Sequence, residues 1–171
     1  MNPYELANDI AAIPFLKGMN DRHIEALAGW ACRIHIEKGT IIFHQGETAN
    51  RFYLIDEGTI QLELALKSDE RSIVAGAVGR GGVVGWSWLF PPYQWQFTAR
   101  ALTQTYALFF YATVLREHCD TDPSLGFELF KRMGKQMVTR LQSARRRFLE
   151  AETAAFSRVG AEHAINSGSV V

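Results

Sequence analysis

The sequence lacks several features that mark particular classes of protein. Its two cysteines, Cys32 and Cys119, lie far apart without C-x-x-C spacing, which leaves too few thiols for a four-thiolate iron–sulfur cluster. No run approaches the 18 or more uncharged apolar residues of a membrane span, and the N-terminal segment carries acidic residues where a signal peptide would carry basic ones. Eighteen basic and 18 acidic side chains cancel, so no overall field attracts nucleic acid or an anionic membrane. These absences predict a cytoplasmic protein that does not enter a membrane.

The residues that are present predict one domain over residues 1–155. Apolar residues make up 47% of the chain, enough for a core without disulfides or metal. Residues from about 3–32 have helical periodicity. Residues from about 33–112 form short runs rich in Ile, Phe, Tyr, Leu and Val between glycines, which predicts a sandwich or barrel of antiparallel strands. A long helix is predicted over about 125–155, and residues 156–171 lose periodicity and are predicted to be a frayed tail.

The long helix carries a stripe that predicts a homodimer. Its members follow alternating steps of four and three residues, which keeps one seam facing a partner helix. The alternative is that the stripe packs on the chain's own barrel. The helix is also basic around Arg145, Arg146 and Arg147, either as a solvated face beside the seam or as a patch for an acidic partner or nucleic acid. The seam residues are Phe130, Gly134, Met137, Leu141, Ala144, Phe148 and Ala151.

A glycine framework in the central region identifies a family. The stretch Gly39-Thr-Ile-Ile-Phe-His-Gln-Gly46-Glu47, followed by Phe52-Tyr-Leu-Ile-Asp-Glu-Gly58-Thr-Ile60, resembles the hallmark of cyclic-nucleotide-binding domains of the catabolite-activator (Crp/Fnr-like) type. The resemblance spans roughly residues 10–150. It implies a mainly β fold with flanking helices, namely a double-stranded β-helix, or jelly roll, with N-terminal helices and a long C-terminal dimerisation helix. It also implies sharp turns with positive φ at the three glycines.

In this family a short cassette holds the phosphate and ribose of the nucleotide, typically Gly-Glu followed about ten residues later by Arg-Ser/Thr-Ala. Gly85 fits the glycine, but Trp86 stands where the family has the glutamate. The pair Thr98-Ala99 fits Ser/Thr-Ala and puts Phe97 at the arginine, whereas counting ten residues from Trp86 gives Gln96. Neither alignment supplies a guanidinium.

The missing arginine sets the expected strength of cyclic AMP binding. A phosphate taken out of water needs a charge-assisted partner, and losing a buried ion-pair partner costs about 3 to 5 kcal/mol. Binding by the usual glutamate and arginine is therefore expected to be weak or absent. Arg100 lies two residues beyond Thr98, on the same face of a regular strand, and is the nearest guanidinium that could compensate.

Two roles remain open for the altered cassette. Its turn amides could hold an anion while its aromatic side chains stack on a nonstandard planar or apolar ligand. The same aromatics, Trp95 among them, could instead fill the cavity themselves. The candidate ligand residues are Gly82, Val83, Val84, Gly85, Trp86, Ser87, Trp88, Leu89, Gln96, Phe97, Thr98, Ala99 and Arg100.

The sequence carries no catalytic or metal-binding spacing, which predicts no enzyme, no metal and no certain cofactor. The resemblance implies a regulatory or sensor module that acts on a protein partner through a ligand-dependent or constitutive surface. The alternative is a structural interaction module with a filled pocket. A further alternative is a transcription regulator without a DNA-binding domain, because the roughly twenty residues after Ala151 are too few for a helix-turn-helix domain, and sequence-specific DNA binding is not expected.

Overall fold

The structure of the chain is a computed structural model that describes residues 3–66 and 72–167. The chain divides into two compact units, Met1–Gln136 and Met137–Val171. The first unit holds the N-terminal helices and both sheets, and the second holds the later part of the last helix. None of the helices described is long and apolar enough to cross a membrane.

Two helices precede the sheets, as the sequence predicts. Helix α1 covers Pro3–Ala12 and helix α2 covers Asp21–Trp30. The side chain of Asn20 caps α2, because its Oδ1 accepts a hydrogen bond from the backbone nitrogen of His23 at 3.2 Å. The apolar face of α2 is buried at Ile24, Leu27 and Ala28.

Eight strands then form two antiparallel sheets of four strands each. Their orders are β1-β8-β3-β6 and β2-β7-β4-β5, so strands that are neighbours in sequence often lie in different sheets. This arrangement confirms the predicted mainly β jelly roll with flanking helices. The strands are β1 Cys32–Ile36, β2 Ile41–Phe43, β3 Arg51–Glu57, β4 Ile60–Ala65, β5 Ser72–Val78, β6 Val83–Val84, β7 Thr98–Ala101 and β8 Thr105–Tyr111.

The glycine framework turns the chain where the sequence predicts. Gly39, Gly46 and Gly58 have φ of 88°, 87° and 94°, so all three predicted positive φ angles are confirmed. Gly58 is also crowded, because a Cβ atom there would lie 2.5 Å from the carbonyl oxygen of Gln104 and against Thr105. This position therefore admits no side chain without movement of the β8 backbone.

Two helices follow the sheets, and the first of them is not predicted. Helix α3 covers Ala112–Thr121, and helix α4 covers Pro123–Ser167. The sequence predicts that the last helix ends near Ala155, but the helix continues to Ser167. The helix can continue beyond Ala155 because residues with high helix propensity, Ala, Glu and Arg, recur there. The loss of the apolar stripe removes only the face that would pack on a partner. The last four residues of the predicted tail lie outside the described residues.

The predicted seam of α4 is largely exposed in the single chain. In the first unit Phe130 is 54% exposed, so it does not pack on the jelly roll, whereas Leu129 and Met133 are buried. In the second unit Leu141 and Phe148 are 70% and 64% exposed. Of the other seam residues, Ala144 and Ala151 are exposed and Gly134 and Met137 are intermediate.

Candidate functional site

The cassette begins where β6 ends. Gly85 follows Val84 with φ of 94° and starts a four-residue 3₁₀ turn, Trp86–Leu89, that has no side-chain cap. A Cβ atom on Gly85 would lie 2.7 Å from Cζ3 of Trp95 and 2.9 Å from the carbonyl oxygen of Arg51. Glycine is therefore required here for two reasons, the left-handed backbone and the close approach of an indole ring.

Trp95 is the side chain that lies against this glycine. It is 3% exposed, and its ring stacks on Phe43 with centroids 3.9 Å apart and planes 13° from parallel. Its backbone nitrogen donates to the carbonyl of Glu47 at 2.9 Å, and its carbonyl accepts from the nitrogen of Gly46 at 2.8 Å. The indole thus fills the space beside Gly85, and the hydrogen bonds of the Trp95 backbone nitrogen and carbonyl hold the residue in this position.

Neither of the two residues aligned with the family's arginine, Gln96 and Phe97, brings a positive charge to the cassette. Gln96 is exposed, and its side-chain nitrogen donates to the carbonyl of Gln94 at 3.1 Å. Phe97 is half-buried against the core. The hydroxyl of Thr98 accepts a hydrogen bond from the backbone nitrogen of Gln45 at 3.1 Å. None of these side chains supplies a cation.

Arg100, the predicted substitute, is already paired. Its Nε donates to Oε1 of Glu63 at 2.9 Å, and its Nη1 donates to the carbonyl of Gly39 at 3.3 Å. Glu63 is only 7% exposed, and the hydrogen bond from Arg100 lowers the pKa of its carboxyl. Arg100 therefore neutralises a buried carboxylate.

The remaining candidate residues divide between core and turn. Trp88 is fully buried and meets the ring of Phe52 edge-on at 6.2 Å. Gly82 donates its backbone nitrogen to the carbonyl of Gly79 at 3.0 Å, and the carbonyl of Ser87 closes the turn. Val83, Val84 and Ala99 belong to the buried core, and Trp86 and Leu89 pack partly buried against it.

A cleft of about 320 Å³ lies beside Trp95, and the sequence did not predict it. The residues that line it include Phe43, Arg51, Tyr53 and Trp95. Trp95, one of the aromatics that the sequence offered for stacking on a ligand or filling the cavity, lines this cleft, whereas none of the candidate ligand residues in the ranges 82–89 and 96–100 does. Arg51 opens β3 two residues before Tyr53, so strand alternation places both on one face. The alternation of side chains along β3 was therefore the feature of the sequence that could have placed Arg51 beside Tyr53.

A serine, a histidine and an aspartate also meet, at the start of α4. Nε2 of His23 lies 3.1 Å from the hydroxyl of Ser124 and 3.5 Å from Asp122, and the Ser124 hydroxyl donates to Asp122 at 2.6 Å. In a catalytic triad the aspartate would contact the other imidazole nitrogen, Nδ1. Here Asp122 accepts from the backbone of Ser124 and Leu125, and donation by Ser124 lowers the pKa of Asp122. This cluster is a helix cap, not a nucleophilic centre.

Metal ligands are not brought together in residues 3–66 and 72–167, where no group of three or more His, Cys, Asp or Glu residues could hold an ion.

The sequence profile described as Cyclic nucleotide-binding domain matches residues 33–122, which is more than half of the chain. The chain belongs to the cyclic nucleotide-binding domain family. The match confirms the resemblance drawn from the glycine framework, and it covers every strand of this cyclic nucleotide-binding domain except the first residue of β1.

Solved structures with low sequence identity share the fold. A cyclic nucleotide-binding domain from Methylobacillus flagellatus is similar with a TM-score of 0.75 and 15% identity, over 86% of this chain and 84% of that one. The N-terminal domain of a transcriptional regulator from Streptomyces coelicolor has a TM-score of 0.62 and 21% identity, over 77% and 93%. The regulatory subunit of a cAMP-independent protein kinase A from Trypanosoma brucei has a TM-score of 0.64 and 20% identity, over 78% and 47%. No curated protein is significantly similar to the chain.

Proposed function

We propose that this cyclic nucleotide-binding domain is a non-enzymatic regulatory module that does not hold cyclic AMP by a glutamate and an arginine. The observation that carries the proposal is the indole of Trp95 against Gly85, in the space beside the cassette glycine. A cyclic phosphate there would need a charge-assisted donor, and Arg100 is committed to Glu63 at 2.9 Å. The single 3₁₀ turn after Gly85 is too short to build up an appreciable helix dipole as a replacement.

The output of the module is proposed to be a protein surface formed by a homodimer. The exposed seam of α4 supports the dimer, because exposed apolar side chains that recur along one helix face, as Leu141 and Phe148 do, form the kind of patch that marks an interaction site. The aromatic filling of the cassette by Trp88 and Trp95, both nearly fully buried, favours an interaction module over a cyclic nucleotide sensor. The regulatory subunit from Trypanosoma brucei, which shares the fold, belongs to a protein kinase A that is described as cAMP-independent.

The experiment is thermal unfolding of the purified chain with and without about 1 mM cyclic AMP, cyclic GMP and a cyclic dinucleotide. A ligand present at 100 times its dissociation constant adds about 2.7 kcal/mol of stability, which shifts the unfolding midpoint by several degrees. We expect no shift with any of the three. Equilibrium dialysis with labelled cyclic AMP supplies a readout that does not depend on stability.

A clear midpoint shift with cyclic AMP contradicts the proposal. The two guanidinium groups are then separated by variants, because Arg51→Met removes the one beside Trp95 and Arg100→Met removes the one on Glu63. Loss of the shift in either variant identifies the group that replaces the family's arginine. Retention of the shift in both variants assigns the phosphate to backbone amides.

A further inference from the structure

A second cleft, of about 280 Å³, lies on the sheet β1-β8-β3-β6. Strands β1, β3 and β8 line it, and no candidate residue of the cassette does. In the pairing of β1 with β8, His35 lies opposite Tyr106 and Arg33 lies opposite Leu108, so these four side chains share one face of the sheet. Tyr106 is 44% exposed, and the side chain of His35 is 39% exposed. The cleft therefore presents ring surface that a ligand can reach.

The two rings are held in one arrangement. The imidazole of His35 stacks on the phenol ring of Tyr106, with centroids 4.8 Å apart and planes 23° from parallel. The side-chain nitrogen of Gln104 lies 2.8 Å from Nε2 of His35 and donates to the hydroxyl of Tyr106 at 3.2 Å. The face of an aromatic ring carries partial negative charge and attracts cations. The exposed part of the Tyr106 ring therefore suits a positively charged group.

A β-bulge places a carboxylate in the same cleft. Ile55 pairs with Ala107 and Glu57 pairs with Tyr106, so Asp56 is the extra residue of β3, and it lines the cleft. A bulge changes the direction of a side chain, and bulges are frequent beside functional sites. Among the described residues, no side chain forms an ion pair or a hydrogen bond with the carboxylate of Asp56. Both of its oxygens are therefore free to accept from a ligand.

The other charged group of the lining is already neutralised. Arg33 forms an ion pair with Asp9 of α1. The imidazole of His35 also has a carboxylate nearby, because its Nδ1 lies 3.7 Å from Oε1 of Glu37. Asp56 is thus the carboxylate in the cleft whose charge has no counterpart, which favours a cation over an anion as the ligand.

We propose that this cleft binds a guanidinium group, with its plane against the exposed ring of Tyr106 and its N–H groups on the carboxylate of Asp56. A guanidinium is planar, stacks on aromatic rings and donates two parallel hydrogen bonds to one carboxylate, whereas an ammonium group does not. The group can belong to an arginine side chain of a partner protein or to a free guanidino compound. The site depends neither on the cassette nor on the seam of α4, so it goes beyond the proposed function.

NMR titration of the ¹⁵N-labelled full chain tests the proposal. The probes are N-acetyl-arginine methylamide, its uncharged citrulline analogue and sodium acetate. We expect the arginine probe to bind with a dissociation constant of about 1 to 10 mM and to shift amide signals of β1, β3 and β8. The citrulline analogue is expected to bind at least fivefold more weakly, and acetate is expected to shift none of these signals. Cyclic AMP is absent from every titration, so the result is independent of the proposed function.

Two further probes separate the sources of the group. Methylguanidinium represents a free guanidino compound, and the peptide Gly-Gly-Arg-Gly-Gly represents a partner protein. Tighter binding of the peptide assigns the cleft to an arginine side chain of a partner. Binding of methylguanidinium that is equal or tighter assigns it to a free compound.

Variants assign the binding to the cleft. Asp56→Asn is expected to weaken binding of the arginine probe at least fivefold. Asp120→Asn, which removes the same charge from an exposed position of α3, is expected to leave binding unchanged. Tyr106→Leu is expected to weaken binding about two- to fivefold, whereas Tyr106→Phe keeps the ring and is expected to keep the affinity within twofold. The two positions are tested separately, so the test stays decisive if one variant does not fold.

Four results would overturn the proposal. Equal binding of the arginine and citrulline probes would remove the role of the charge. Binding of acetate in the cleft would mean that the site takes anions. Unchanged affinity in both Asp56→Asn and Tyr106→Leu would place the ligand elsewhere. No shift of the β1, β3 and β8 signals with 50 mM arginine probe would show that the cleft is not a guanidinium site.

Discussion

At the scale of single residues, Arg100 and Glu63 form an ion pair whose members are unequally exposed. The side chain of Glu63 is 9% exposed and that of Arg100 is 37% exposed. Gln61 also donates to the same oxygen of Glu63 at 2.9 Å. The carboxylate is therefore the member that depends on its partner, because the arginine can be hydrated and the glutamate cannot.

Replacing the arginine is expected to cost more than replacing both residues. Arg100→Met leaves the Glu63 charge buried with Gln61 and Ser72 as neutral donors but no cation, and we expect a loss of about 1 to 3 kcal/mol, below the figure for a fully buried pair because solvent reaches Arg100. The double variant Arg100→Met/Glu63→Gln is expected to recover most of this loss. Urea unfolding of the four proteins gives the coupling energy. Additive losses would mean that the pair contributes nothing.

The same pair makes stability depend on acidity. Because hydrogen bonding by Arg100 lowers the pKa of Glu63 in the folded state, the contribution of this carboxylate is fully present above the ordinary glutamate pKa of about 4.3. It is lost as the pH falls through the lower folded-state value. The difference in unfolding free energy between the wild type and Glu63→Gln is expected to be constant at pH 5 to 7 and to shrink below pH 4. A difference that grows on acidification would contradict this assignment.

Two glycines give a matched comparison of a constrained site with a free one. Gly58 has φ of 94° and faces the carbonyl of Gln104, whereas an added Cβ at Gly29 in α2 meets nothing within 4 Å. Gly58→Ala is expected to destabilise the fold by about 2 to 4 kcal/mol through strain and overpacking. Gly29→Ala is expected to be neutral or stabilising by up to about 1 kcal/mol. Thermal unfolding of the two variants checks both signs, and similar midpoints would refute the argument.

Single residues also mark how far the sequence alone could predict the site. The absence of the family's glutamate and arginine can be read from the sequence, because recognising it requires only the identity of the aligned residues. The contact of Trp95 with Gly85 is not visible, because it depends on how the segment 93–95 pairs with the β2–β3 loop. The cleft around Arg51 depends on the distance between two sheets, and no local pattern encodes that distance.

At the scale of elements, the strands were predictable and one helix was not. Glycines with positive φ separate the strands, so the turn spacing indicates a sandwich or barrel of antiparallel strands, and the resemblance carried by the glycine framework implies the jelly roll. Helix α3 is short and continues directly from β8 at Ala112, and its buried side chains include only Ala112 and Leu115. Two buried positions are too few to produce a helical period in the sequence. The apparent break before α4 is an Asp122 cap between two helices.

The seam of α4 is an element-scale feature, and its prediction concerns association. We expect the chain to be a dimer, and Leu141→Lys to raise the dimer dissociation constant roughly 30-fold or more, because two buried charges would face each other. Gln142→Lys places the same charge on the neighbouring exposed residue, outside the seam, and is expected to leave the dimer intact. Sedimentation equilibrium measures both. A monomeric wild type at high concentration, or equal effects of the two variants, would refute the seam.

At the scale of the whole molecule, the residues that determine the fold are different from those that would determine the ligand. The family profile matches a stretch that includes the glycine framework and the sheets, and these residues set backbone geometry. The side chains that would hold a cyclic nucleotide make up a small part of that stretch and can change without disturbing it. Structures at 15 to 21% identity therefore share this chain's fold without fixing its ligand.

The pairing of the segment 93–95 with residues 46–49 has a consequence for chain continuity. Three backbone hydrogen bonds of 2.7 to 2.9 Å and a bridge between Thr48 and Gln94 join the two segments. Phe90, Pro91 and Pro92, which precede them, are exposed. A peptide bond cut within these three residues would leave both new ends anchored, one in the turn after Gly85 and the other on the β2–β3 loop. We therefore expect this segment to accept new chain termini or an inserted peptide without loss of the fold.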